Sequence, residues 1–197
     1  MDEIDMKANI EDKRKAVMDA ALKLFTERGF QGTSTAQISK EAGVATGTLF
    51  HYFPTKEDLI NNLYFEVKGG LSRAMVKDLE SQVSFKDRLK KIWDNLVRWG
   101  LDNHDEFLFV GQFCNSPYIS NFTREEVMKE YVFLHTLVEE GLKEGHIKEL
   151  PSELVMAMFY QNSRIVVEVI SGYDSSKDEN KLIDDGFEII WNGLTRN

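Results

Sequence analysis

Residues 33–59, TSTAQISKEAGVATGTLFHYFPTKEDL, admit few folds. Thr35 reads as the N-cap of a short helix over 36–42, with Ile38 and Ala42 facing inward. Gly43 supplies a turn where a positive φ costs nothing. A second short helix over 46–53 must stop there, because the residue before Pro54 is driven out of the α region. Thr55 then caps a longer helix, with Asp58 three residues on in near capping-box spacing. Two short helices across a glycine turn make a helix-turn-helix, whose second helix is built to lie in a DNA major groove.

The remainder of the chain reads as helix too. Proline occurs only at positions 54, 117 and 151, each at an expected helix boundary, and strand signals are nearly absent. Periodicity predicts about nine helices: 9–28, 36–42, 46–53, 56–80, 85–100, 104–115, 124–144, 152–172 and 178–195. Gly29 is expected to end the first helix, with Phe30 as the hydrophobic contact of its cap. Thr123 with Glu126 forms a second capping box, and 115–122 (NSPYISNF) is the least regular connection. The expected architecture is all-α: a three-helix DNA-binding head over 1–55 and a helical bundle over 56–197 for ligand binding and dimerisation.

Composition excludes several classes. No apolar run approaches the roughly 20 residues of a membrane span, and the polar N-terminus MDEIDMKANIEDKRK is not expected to act as a signal peptide. One cysteine, Cys114, allows no intramolecular disulfide and fits a reducing compartment, so a cytoplasmic location is expected. The net charge of −9 argues at first against nucleic acid. Its distribution argues otherwise: residues 13–56 hold seven Lys/Arg and three Asp/Glu, a net +4, which leaves −13 for the rest.

On the second helix of the motif, Leu49 and Phe53 share a face that should pack with Val44 onto Ile38, Leu24 and Phe25. The opposite face presents Thr48, His51 and Tyr52, with Thr46 and Gly47 at its start. Gly47 lets backbone approach DNA, and Thr48 suits a base edge or a thymine methyl. His51, Tyr52 and Lys56 suit phosphates, and Thr35 stands at a helix N-terminus where free N–H groups hold an anion. A solvated three-helix cluster would share this periodicity, so spacing alone leaves both readings open.

At these residues the chain resembles the TetR family of bacterial transcriptional regulators. The likeness runs through Phe25, Gly29-Phe30, Gly32-Thr33-Ser34-Thr35, Ile38, Ala42-Gly43-Val44, Gly47-Thr48-Leu49 and Tyr52-Phe53-Pro54-Thr55-Lys56-Glu57-Asp58-Leu59, about a quarter of the chain. The resemblance implies an all-helical homodimer with two DNA-binding heads and a divergent ligand-binding body. It places Thr35, Thr46, Gly47, Thr48, Phe50, His51, Tyr52 and Lys56 at the family's DNA-contact positions. The chain departs from the pattern in two places. Phe50 stands where tyrosine is frequent, and His51-Tyr52 replaces the frequent Tyr-His order. No Arg or Lys occupies the front of the recognition helix, so a bidentate guanine contact is unavailable there and specificity should lean on Thr48, His51 and DNA shape.

In the body, aromatic and Met residues are dense, as a packed core or an apolar pocket would require. A mostly hydrophobic effector is expected, with Trp99, Phe107, Phe113, Met128, Phe133, Phe159, Tyr160, Asn162 and Arg164 as candidate lining and Arg164 as the partner of an acidic head group. The last helix carries Ile183, Phe187, Ile190 and Leu194 as a near-heptad stripe, with Gly186 and Gly193 seven apart on an adjoining face. With Phe159, Val166 and Ile170 of the preceding helix, these residues are expected to form a two-chain four-helix bundle. His135 and Glu139 lack a third ligand, and Cys114 has no activating base, so no cofactor, metal or catalytic site is expected.

Two functions fit. The first is a ligand-responsive regulator, most simply a repressor, that binds a palindromic operator as a dimer and is released by its effector. The alternative is an all-helical small-molecule binding protein or enzyme with a vestigial DNA-binding head.

Overall fold

Ten α-helices and one 3-10 turn, with no strand, make up the described residues of the structure, a computed structural model. It describes residues 3–172 and 178–195, with backbone only for residues 3–9; positions 1 and 2 of the polar N-terminus lie outside this set. In chain order the helices are α1 Glu3–Arg28, α2 Thr35–Glu41, α3 Thr46–Tyr52, α4 Lys56–Met75, α5 Phe85–Asp102, α6 His104–Phe113, α7 Asn121–Lys129, α8 Val132–Lys143, α9 Ser152–Gly172 and α10 Glu179–Leu194. The 3-10 turn is Leu79–Ser81.

Where these bounds differ from the periodicity, a hydrogen bond explains the difference. The helix expected over 56–80 ends at Met75, because Asn95 Nδ2 donates to the carbonyls of Met75 (3.1 Å) and Lys77 (2.8 Å), and Asp78 then turns left-handed with φ 57°. The single helix expected over 124–144 is two. Ser72 Oγ donates to Glu130 O at 2.7 Å, while Glu130 N and Tyr131 N tighten onto Val127 O and Met128 O. The ladder breaks there, so ten helices replace nine.

Two caps also shift. Ser34, not Thr35, caps α2: Ser34 Oγ accepts from Gln37 N, and Gln37 Oε1 accepts from Ser34 N at 2.8 Å. Gln37 is the reciprocal partner that selects the residue three before it. Likewise Ser120 Oγ accepts from Thr123 N at 3.0 Å and starts α7 earlier than the Thr123 box would. The Thr55–Asp58 box forms as expected, with Asp58 N on Thr55 Oγ1 and Thr55 N on Asp58 Oδ2. Gly29 (φ 71°) and Gly43 (φ 66°) both take the left-handed turn that their positions require.

The chain divides into two compact units. One holds residues 1–68 and 104–126, so it contains α1–α3, the first part of α4, α6 and most of α7. Its core joins Val17, Ala21, Leu24 and Phe25 of α1 to Ile38, Leu49, Phe53, Leu59, Ile60, Phe107, Phe109 and Phe113, all nearly inaccessible. The Phe113 ring lies 6.3 Å from that of Phe25 and 4.9 Å from that of Phe109. The other unit holds residues 69–103 and 127–197. It centres on Trp93 of α5, whose Nε1 donates to Ile183 O at 2.9 Å and whose ring meets Phe159 edge-on at 5.4 Å and Phe187 at 6.2 Å. No helix among the described residues is long and apolar enough to cross a membrane.

Candidate nucleic-acid interface

The recognition helix is seven residues long and is held from behind. Leu49 and Phe53 are buried, as are Ile38, Leu24 and Phe25, and α3 packs on α1 and α2. This leaves Thr46, Gly47, Phe50 and His51 exposed and Thr48 and Tyr52 half-buried. Ala45 at the N-cap offers no side-chain acceptor, so the first N–H groups of α3 face outward unbonded by a cap. His51 and Tyr52 meet edge to face at 5.4 Å, which orients the tyrosine ring. A Cβ added at Gly47 would meet nothing within 4 Å, and its φ is not positive. Nothing among the described residues therefore calls for glycine at this position.

Charge on the head is arranged as well as summed. Lys23 and Glu41 pair at 2.6 Å, Lys15 and Asp19 at 2.7 Å, and Arg14 and Glu66 at 2.6 Å. The Lys23–Glu41 contact raises the lysine's pKa and lowers the carboxylate's, through their hydrogen bond first and their charges second. Lys56 is less free than its sequence position suggests. Its Nζ donates to Phe30 O and Thr33 O, both at 2.9 Å, and lies 4.0 Å from the Phe30 ring centroid. Two of three ammonium donors thus bind backbone, and one remains to face a phosphate.

The expected effector-lining residues divide between the units. Phe107 and Phe113 are core residues of the head-bearing unit, and Trp99, Met128, Phe133, Phe159, Tyr160, Asn162 and Arg164 lie in the other. Met128 is 59% exposed, and Phe159 packs on Trp93. Asn162 Nδ2 donates to Met158 O, the helix's own backbone. Arg164 Nη2 reaches Glu168 at 3.1 Å, while its Nε is buried without a hydrogen-bond partner. The head-bearing unit has an open groove of about 580 Å³ between α4 and the start of α7, lined by Glu57, Asp58, Asn61, Asn62, Phe65, Ser120, Phe122, Thr123 and Glu126. It contains none of the nine.

Much of the expected dimer stripe is buried within one chain. Phe159, Ile183, Phe187, Ile190 and Leu194 fill their own unit's core. The periodicity located a buried face correctly but could not say which chain buries it. Gly186 has the same explanation: a Cβ there would come 2.6 Å from Val166 Cγ2 and 3.0 Å from Trp93 Cζ2. Gly193 meets nothing within 4 Å, and Val166 and Ile170 are half-buried. The faces that α9 and α10 leave exposed carry Leu154, Met158, Ile165 and Ile189 instead.

Two ionisable groups on α4, the buried Tyr64 and the half-buried Lys68, escaped the sequence reading. Burial raises the Tyr64 hydroxyl to about 12 and lowers the Lys68 ammonium to about 8. Cys114 is a half-buried free thiol, and among the described residues no three His, Cys, Asp or Glu side chains converge as a metal site.

Comparison with known proteins joins the head to the rest of the chain. Residues 17–63 match the model of bacterial regulatory proteins of the tetR family, and residues 64–195 match that of the Tetracyclin repressor-like C-terminal domain. A TetR family transcription regulator structure from Shewanella sp. PV-4 is 30% identical, covers 94% of this chain and 99% of its own, and superposes with a TM-score of 0.81. The transcriptional regulator FadR from Bacillus subtilis, solved in complex with stearoyl-CoA, is 25% identical over 91% of this chain and 98% of its own, with a TM-score of 0.71. The Fatty acid metabolism regulator protein of Bacillus subtilis (strain 168) is 27% identical over 139 residues, covering 70% of this chain and 72% of that protein.

Proposed function

The chain belongs to the TetR family of bacterial regulatory proteins and is a DNA-binding transcriptional regulator, and from this premise we propose that it is a cytoplasmic repressor released from a palindromic operator by a mostly hydrophobic effector. The observation that carries the DNA contact is α3 itself, with Leu49 and Phe53 buried behind and Thr46, Gly47, Phe50 and His51 exposed in front. Thr46, Gly47 and Thr48 approach the base edges. Thr35, Phe50, His51, Tyr52 and the remaining donor of Lys56 approach the phosphate backbone.

Two heads must be about 34–36 Å apart to enter successive major grooves, so the regulator acts as a homodimer. Residues 1–55 are its DNA-binding domain and residues 56–197 its ligand-binding and dimerisation domain. The exposed apolar residues Leu154, Met158 and Ile165 of α9 and Ile189 of α10 support dimerisation through these helices, by faces opposite to the buried stripe. Ile165→Asp combined with Ile189→Asp should give a folded monomer in sedimentation velocity; a dimer of unchanged stability would move the interface elsewhere.

The effector's chemistry is supported by Arg164, whose guanidinium lies beside the aromatic Phe159 and Tyr160 in sequence and has a buried Nε without a hydrogen-bond partner. A solved relative binds stearoyl-CoA, an acyl chain with an anionic head, and we extend that class to this chain. Effector binding favours a conformer whose heads no longer match the operator spacing, with α4, which has residues in both units, as the route.

The test is selection of bound fragments from genomic DNA by the purified protein at near-physiological salt. Enrichment of an inverted repeat, lost on adding a long-chain acyl-CoA, is expected. Absence of any enriched sequence from effector-stripped, refolded protein would favour the small-molecule binding alternative.

A further inference from the structure

The connection between α6 and α7, expected to be the chain's least regular segment, is fastened at every other residue. Arg124 donates from Nη1 to Cys114 O and from Nη2 to Ser116 O. Tyr118 N donates to Ser116 Oγ at 3.2 Å. Asn61 of α4 grips the segment twice: its Nδ2 donates to Tyr118 O at 2.9 Å, and its Oδ1 accepts from Ser120 N at 2.8 Å. Such an arrangement fixes the backbone of Tyr118 relative to α4, leaving its side chain as a rigid arm.

The arm reaches the loop between α1 and α2. The Tyr118 ring stacks on Phe30 with centroids 4.1 Å apart and planes inclined by 21°, and its hydroxyl accepts from Gln31 Nε2 at 2.9 Å. The Lys56 ammonium lies 4.0 Å from the same Phe30 centroid. Two groups that close to one ring cannot share a face, so Phe30 is held between the tyrosine and the ammonium. The loop is also held from the head itself: Lys56 Nζ donates to Phe30 O and Thr33 O, the Phe30 ring lies 5.6 Å from that of Phe25, Thr33 Oγ1 ties back to Leu24 O and Gly29 O, and Ser34 then caps α2. Whatever sets residues 30–34 therefore sets the start of α2, against which α3 packs.

We infer that Tyr118 is a positioning residue for DNA binding: stacked on Phe30 and bonded to Gln31, it fixes the loop that aims α2 and the recognition helix. It lies outside α2 and α3 and far from them in sequence, which is why no motif reading reaches it. The inference rests on the DNA-binding role proposed above.

The test uses hydrogen exchange of the free full-length protein, followed by titration with the DNA fragment enriched in the selection. In Tyr118→Ala, amides of residues 30–42 should exchange about three- to tenfold faster, the range an aromatic pair supports, while α9 and α10 stay unchanged. DNA affinity should fall by a similar factor. Tyr118→Phe keeps the stack and should recover most of that affinity. Gln31→Ala and Tyr118→Phe remove the same hydrogen bond, so each should speed exchange at 30–34 about twofold, and the double variant should add nothing to either. Should Tyr118→Ala not fold, these three variants decide alone. Unchanged exchange at 30–34, additive effects, or a rise spread equally over α5, α9 and α10 would overturn the inference. If the wild type enriches no DNA, the regulator reading fails, while the exchange data still decide whether Tyr118 holds the loop.

Discussion

Replacing Gly47 by alanine separates what the chain needs from what its partner needs. Inside the chain the substitution is favourable. A Cβ at this position meets nothing within 4 Å, the φ is ordinary, and the residue lies in the first turn of α3. Alanine gains up to about 1 kcal/mol over glycine in a helix, which for a chain of this size corresponds to a rise of about 2–4 °C in Tm. Against DNA the same methyl points outward from the end of α3 that is proposed to meet the base edges. Forcing a methyl into a close-packed contact costs about 1–3 kcal/mol, or about five- to 150-fold in affinity. The assay pairs thermal unfolding by circular dichroism with fluorescence anisotropy on the selected operator fragment. Gly43→Ala is the control: it also has open space around its Cβ, but its φ of 66° puts an L residue in a conformation costing about 1–2 kcal/mol, so its stability should fall. A Gly47→Ala protein that is more stable and binds DNA as before would refute the close approach of α3 to DNA. One that is less stable would refute the helix geometry on which the argument rests.

Three further outcomes follow from the packing. Ser34→Ala removes the cap of α2 and should cost about 1 kcal/mol in urea unfolding, with Thr35→Ala costing clearly less, because the reciprocal pair is Ser34 with Gln37. Gly186→Ala pushes a methyl against Val166 and Trp93 and should destabilise the fold by about 1–3 kcal/mol, whereas Gly193→Ala should not, since nothing lies within 4 Å there. Lys68 has a folded-state pKa lowered by burial from 10.5 to about 8. Between these values the unfolded chain binds a proton that the native chain has released, so stability rises with pH across that window by on the order of 3 kcal/mol. The urea midpoint should therefore climb from pH 8 towards pH 10, and Lys68→Met should flatten the climb.

The sequence by itself determined the local structure of the head. The glycines, the proline, the Thr55–Asp58 box and the Leu49/Phe53 face act within a few residues, and short-range rules suffice to read them. It also determined the all-helical class, because period and boundary residues agree along nearly the whole chain. Tertiary structure decided what depends on partners distant in sequence. Asn95 ends α4 by capturing carbonyls 18 and 20 residues away, and Ser72 splits a helix at Glu130, 58 residues on. No local pattern carries those bonds. The same limit governs the site. Periodicity found that Ile183, Phe187, Ile190 and Leu194 share a buried face, yet only the packing around Trp93 assigns that face to one chain and leaves Leu154, Met158, Ile165 and Ile189 outside. Lys56 reads as a phosphate contact from its position, and only the fold turns two of its donors onto Phe30 and Thr33. Apolar spacing reports that a side chain leaves water; which neighbour replaces the water is settled by the meeting of segments that the sequence keeps apart.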